Sequence, residues 1–387
     1  MISFENRFSI TRSGLICFAL LIGSVVAGSD GFAASEAFAA DNSTALQSAV
    51  ELPIGRTFRS HDTIPKADDQ KSDAAASLEQ LLWSPQPFDV SCQETDQDGC
   101  NALLRFPSAR TTNTKANDNV AVEWYAPSDA TPDRDLPAIV VVHESGRGMK
   151  VGRMIARGLR DRGLHAFMVQ LPFYGLRRPQ TGSKGQPAFE TVMGQGIADV
   201  RRTLDAVRVL PGIDPHRISL QGTSLGGFLA ATTIGLDDRF YRTFVLLAGG
   251  DLAHLVETGE NETRQVRALL EQRGLNQAAR HELLNRFEPN RLAHRIDPKR
   301  LWLFSATFDT TVPPRHTDQF ARAANVHESH HIRMPANHYS GIIFLPQVMD
   351  VIAAEARVAT DAEPGSGAAE VDSVLKSTPQ PAPDQKR

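Results

Sequence analysis

Ile218-Ser219-Leu220-Gln221-Gly222-Thr223-Ser224-Leu225-Gly226-Gly227-Phe228-Leu229-Ala230-Ala231-Thr232-Thr233 decides how the rest of the chain is read. Ile218 to Gln221 reads as a buried strand and Phe228 onward as a helix, with Gly-x-Ser-x-Gly between them, the strand-turn-helix context of a nucleophile elbow. The small residues have a physical reason. A serine on so sharp a turn leaves no room for side chains at Gly222 and Gly226, which face the neighbouring strand and helix. The turn lifts the Ser224 hydroxyl above the sheet and aims the helix N-terminus at it.

Outward from the elbow, strands are expected at Val120 to Tyr125, Ala138 to His143, Ala166 to Leu171, Thr243 to Ala248, Leu301 to Ala306 and His331 to Met334. Most are short continuous apolar runs, as in strands buried on both faces. Helical stretches lie between them: Val151, Met154, Ile155 and Leu159 share one face, and Val192, Ile197, Val200, Leu204 and Val207 another. Pro346 suits the first turn of a closing helix. The expected fold class is therefore α/β, a mostly parallel doubly wound sheet with helices on both faces. Residues 251–297 contain no strand and read as a small helical cap.

A nucleophile of this type needs a base and an acid. Asp309, just beyond the strand Leu301 to Ala306, is the expected histidine-orienting carboxylate, and Asp251, after the preceding strand, is the alternative. The base should follow the acid in the chain, and His338 stands in a loop between the last strand and the closing helix. His327, His330 and His331 lead into a strand without accompanying thiols or carboxylates, so they read as solvated strand-edge residues, and no metal site is expected. Neither metal nor organic cofactor is needed for this chemistry. Oxyanion donors are expected from the backbone N–H of Leu225 and from Glu144 and Ser145 in the loop after Val140-Val141-Val142. Tyr174 and Arg177, leaving a strand on the same side as the elbow, are candidate substrate contacts.

These residues resemble the alpha/beta-hydrolase superfamily from about Val120 to Val358. The order Ser224, Asp309, His338 matches its triad, and His143-Glu144-Ser145-Gly146 corresponds to its oxyanion loop. His143-Glu144 with Gly226-Gly227 looks like the dienelactone hydrolase-like, acetyl-esterase-like and prolyl-oligopeptidase-like members. Two departures matter: dienelactone hydrolases proper have a cysteine where Ser224 stands, and Glu144 and Ser145 interrupt the His-Gly-Gly-Gly loop of lipases. The resemblance implies a serine hydrolase acting on small-molecule or carbohydrate esters with short acyl groups. A serine peptidase or amidase, and a non-catalytic envelope binding protein on the same fold, are the alternatives.

The 387 residues suffice for a large buried core, and 41% hydrophobic with 22% charged residues is globular composition. Lys and Arg total 41 against 45 Asp and Glu, a net charge of −4, so there is no basic excess for nucleic acid. Arg7 and Arg12 precede an apolar run from Gly14 to Ala27, followed by Ala37-Phe38-Ala39, so residues 1–39 read as an export signal, with cleavage near Gly28 or retention as an anchor the alternatives. A secreted or periplasmic protein without stable membrane insertion follows. Cys17 would leave with the signal, and Cys92 and Cys100 would close a local disulfide in an oxidising compartment. Residues 40–77 are expected to be a poorly ordered approach, 78–359 the hydrolase domain and 360–387 a disordered tail. The oligomeric state is not readable from the sequence.

Overall fold

The structure, a computed structural model, describes residues 51–64, 68–97, 99–179 and 188–358. The export signal, Cys17 and the tail 360–387 lie outside the described residues.

Ten strands form one sheet in the order β1-β2-β3-β4-β6-β5-β7-β8-β9-β10. The first four, β1 (Thr57–His61), β2 (Pro87–Gln93), β3 (Ala102–Pro107) and β4 (Asn119–Tyr125), are antiparallel, and β4 joins β6 (His165–Val169) antiparallel. From there β5 (Leu136–Val142), β7 (Ile213–Thr223), β8 (Thr243–Leu246), β9 (Leu301–Ala306) and β10 (His331–Met334) continue in parallel. Every parallel step is bridged by helix, as crossover connections require.

Period-two alternation in the central strands builds two cores. Along β5, Ala138, Val140 and Val142 point to one face and Ile139 and Val141 to the other. The first face is covered by α1 (Ser72–Leu81), α3 (Phe189–Arg208), α4 (Leu225–Leu236) and Phe320 of α9 (Pro314–Ala323); the second by α2 (Lys150–Arg160) and α10 (Leu345–Arg357). Between β8 and β9 the segment expected to form a cap contains α5 (Leu252–Thr258), α6 (Glu262–Gln272), α7 (Gln277–Asn285) and α8 (Pro289–Leu292), whose Leu270, Leu284 and Leu292 pack into the first core.

Two expectations are corrected here. Within the stretch 40–77 expected to be poorly ordered, residues 57–61 form β1 and residue 72 begins α1, which runs on to Leu81 and is held by Ala74, Leu78 and Leu81, spaced four and three apart on one face. The disulfide is absent, and both thiols are free. Cys92 lies on β2 opposite Leu104 and faces the first core, whereas Cys100 packs against the second, so the sheet separates the sulfurs. The Cys100 thiol donates instead to the Ala102 and Trp124 carbonyl oxygens, at 3.0 and 3.6 Å. Burial pushes the two thiols up to about 11 and about 12, which leaves them protonated.

Candidate active site

The elbow is forced by backbone contact. A Cβ on Gly222 would lie 2.2 Å from the Gly226 carbonyl oxygen, and one on Gly226 would lie 2.1 Å from that of Val142, so α4 can start this close to β5 and β7 only with glycine at both positions. Ser224 between them has φ 52° and ψ −115°, a strained backbone for a residue with a side chain. Its own N–H is tied to the Leu246 carbonyl oxygen at 2.9 Å, and its carbonyl accepts the Phe228 N–H at 3.0 Å. These bonds fix the turn from β8 and from α4 and leave the half-buried hydroxyl at the sheet edge.

His338 and Asp309 reach the same point from the loops after β10 and β9. The Ser224 Oγ lies 3.0 Å from His338 Nε2, and His338 Nδ1 lies 2.7 Å from Asp309 Oδ2. Asp309, 4% exposed, uses its other oxygen to accept the N–H groups of Thr311 and Val312 at 2.9 and 2.8 Å. Because a carboxylate held this way only accepts, the proton of neutral His338 belongs on Nδ1, and the Nε2 lone pair faces the serine. The histidine loop is shaped by Asn337, whose side-chain oxygen accepts the N–H groups of Tyr339 and Ser340 at 3.0 and 2.9 Å.

Asp251, the alternative acid, is elsewhere engaged. It sits in a left-handed conformation as the N-cap of α5 and accepts the His254 N–H, while its own N–H donates to Glu288. The arrangement leaves Asp309 alone beside His338.

In the loop after β5, Glu144 spends its carboxylate on the exposed first turn of α2, accepting the Val151 and Gly152 N–H groups at 3.2 and 2.9 Å. His143, wholly buried, accepts the Leu171 N–H on Nε2 at 3.0 Å and donates from Nδ1 to the Glu144 carbonyl oxygen at 2.6 Å. Burial drives its pKa down, which keeps the ring neutral in that tautomer. Holding the Glu144 carbonyl fixes the peptide plane that carries the Ser145 N–H, because the two groups of a trans peptide point opposite ways. Tyr174 holds the following peptide, donating its hydroxyl to the Ser145 carbonyl oxygen at 2.9 Å. Leu225 opens α4, where the first N–H groups have no acceptor within the helix.

Other expected roles change. Arg177 is fully buried and donates to the Asn117 and Gln170 carbonyl oxygens, both at 2.9 Å, and to Asp199 at 2.7 Å, so it fastens the loop after β6 instead of lining a pocket. His330 and His331, expected at a solvated edge, are each 5% exposed. His330 stacks on Trp302 with ring centroids 4.2 Å apart, and His331 Nε2 lies 2.9 Å from Ser305 Oγ. Among the described residues no group of three or more His, Cys, Asp or Glu could hold a metal ion.

The sequence reading missed three features: the His143 brace, the Thr311 and Val312 donors, and a contact from the cap in which Tyr339 donates to Glu262 at 2.9 Å. The Asp-x-Thr spacing at 309–311 is a turn signal that points to the second of these. The first and third join residues distant in the chain and have no local signature.

No family model matches the sequence. Over 134 residues the chain is 26% identical to the uncharacterized protein YfhR of Escherichia coli K12, a match covering 34% of this chain and 44% of that protein. The chain thus spans under half the length of that relative. Among solved structures, an acetyl xylan esterase from Paenibacillus sp. R4 is 18% identical and superposes with a TM-score of 0.53 over 76% of this chain and 97% of its own. The acylaminoacyl peptidase of Pyrococcus horikoshii is 14% identical, with a TM-score of 0.51 over 73% of this chain and 50% of its own. Together with the strand order and helix layers, these likenesses define an alpha/beta-hydrolase fold.

Proposed function

We propose that the protein is an exported serine hydrolase that cleaves carboxylic esters through an acyl-enzyme. The observation that carries the reading is the continuous path from Asp309 through His338 to a hydroxyl on a strained elbow, with separations of 2.7 and 3.0 Å. His338 Nε2 takes the Ser224 proton as Oγ attacks the carbonyl carbon, and Asp309 holds the ring and stabilises its protonated form. The Leu225 N–H and the loop carrying Glu144 and Ser145 receive the negative charge on the substrate oxygen. His338 then gives its proton to the departing alcohol, and water repeats the sequence on the acyl-serine to release the acid.

Short-acyl esters, including acetylated carbohydrates, are the proposed substrates, on the likeness to an acetyl xylan esterase and the absence of the lipase-type glycine loop. The acylaminoacyl peptidase likeness supports amide cleavage as the second reading, because both reactions share the acyl-enzyme. Export rests on the basic and apolar leader. The test compares p-nitrophenyl acetate with an aminoacyl anilide. Rapid ester turnover with slow anilide cleavage is expected, the reverse would establish the peptidase, and inertness to both would leave a binding protein.

A further inference from the structure

The acid and base loops are bound to each other near their strands, where the Thr307 and Phe308 N–H groups donate to the Met334 and Ala336 carbonyl oxygens at 2.9 Å each. Farther out, at the residues that follow Asp309 and His338, the cap takes over. Tyr339, the neighbour of His338 with its ring edge-on at 5.6 Å, donates its hydroxyl to both Glu262 oxygens, at 3.0 and 2.9 Å. Thr311, whose N–H holds Asp309, accepts the Asn261 side-chain amide on Oγ1 at 3.0 Å. Burial and the Glu262 carboxylate raise the Tyr339 phenol to about 12, so it stays a donor throughout the working range.

Asn261 and Glu262 are the N-cap and first residue of α6, and Asn261 has φ 53° and ψ −119°. A non-glycine residue persists in that conformation only where its surroundings hold it, and the bond to Thr311 is one such hold. One end of this segment thus grips both site loops through two pairs, Glu262 with Tyr339 and the adjacent Asn261 with Thr311.

We infer that Glu262 and Asn261 are positioning residues, through which the cap sets His338 and Asp309 in register by way of Tyr339 and Thr311. This rests on the proposed hydrolase chemistry and goes beyond it, because it assigns the cap a part in kcat as well as in substrate choice. Aligning groups that act on the transition state affects kcat with little effect on KM.

The test is steady-state hydrolysis of p-nitrophenyl acetate by wild type, Glu262→Ala, Glu262→Gln, Tyr339→Phe and the Glu262→Ala/Tyr339→Phe double variant, with thermal melting of each. Glu262→Ala and Tyr339→Phe should each lower kcat about five- to ten-fold at nearly unchanged KM, the scale of one lost hydrogen bond to a charged group. The double variant should be no worse than either single one, and Glu262→Gln, which keeps an acceptor for the phenol, should stay within about two-fold of wild type. Unchanged kcat in both single variants, or losses that multiply in the double variant, would overturn the inference. A wild type that hydrolyses no ester would instead overturn the hydrolase reading, so the two failures are distinguishable.

Discussion

Among the described residues two serine-histidine-aspartate sets can be compared, and the proposed chemistry belongs to only one of them. Ser224 and His338 are 3.0 Å apart; Ser305 and His331 are 2.9 Å apart. Their surroundings differ in every other respect. Ser224 heads a helix on a strained turn, whereas Ser305 is an interior residue of β9, paired with Arg333 across to β10 and 2% exposed. Asp309 reaches His338 Nδ1 at 2.7 Å, whereas Asp318 is 3.7 Å from His331 Nδ1 and gives its oxygen to Arg333 at 2.9 Å. A hydroxyl beside an imidazole is therefore insufficient. Nucleophilic chemistry also needs an approach to the hydroxyl, an oriented base and N–H donors for the developing charge.

The largest expected effect separates the serines. Ser224→Ala should lower ester kcat by about 10³-fold or more, and Ser305→Ala should leave it within about two-fold. The carboxylates come next. Asp309→Asn, which retains shape but favours the wrong imidazole tautomer, should cost about 10² to 10⁴ in kcat, while Asp318→Asn should change it less than about three-fold. Comparable losses from the two members of either pair would dissolve the distinction drawn here.

The smallest effect is on stability. Burial lowers the His331 pKa from 6.5 to about 4, and His165 likewise to about 4. Unfolded imidazoles bind protons at higher pH than these folded ones, so the unfolded chain is favoured by acid. Their contribution is complete above about pH 6.5 and is lost as pH falls from there towards 4, on the order of 3 kcal/mol for each ring at most. Urea unfolding midpoints should therefore decline across that interval, and His331→Gln should flatten part of the decline; an unaltered slope would place His331 outside it.

Legibility in the sequence followed the physics of burial. The central strands were readable because both their faces are covered, which produces the unbroken apolar run of Leu136–Val142. The strand Pro87–Gln93 carries a weaker signal, although Phe88, Val90 and Cys92 alternate inward, because Asp89 and Ser91 dilute the run and only one core lies beneath it. Local spacing alone makes a disulfide between Cys92 and Cys100 plausible, since it says nothing about which side of a sheet a sulfur faces. Ser224, Asp309 and His338 could be chosen from chain order and from their positions after strands. Arg177, His330 and His331 could not be placed, because a charged or polar side chain is assumed solvated until its partners are seen; those of Arg177 come from Asn117 and Asp199, far from it in the chain.

Among the described residues, the hydroxyl of Ser224 is the one proposed as a nucleophile. Treatment of the folded protein with a fluorophosphonate, followed by peptide mass analysis, tests it most directly. A single adduct on the peptide containing Ser224 is expected, lost in Ser224→Ala and retained in Ser305→Ala. Absence of any adduct on folded protein, or an adduct on Ser305, would contradict it.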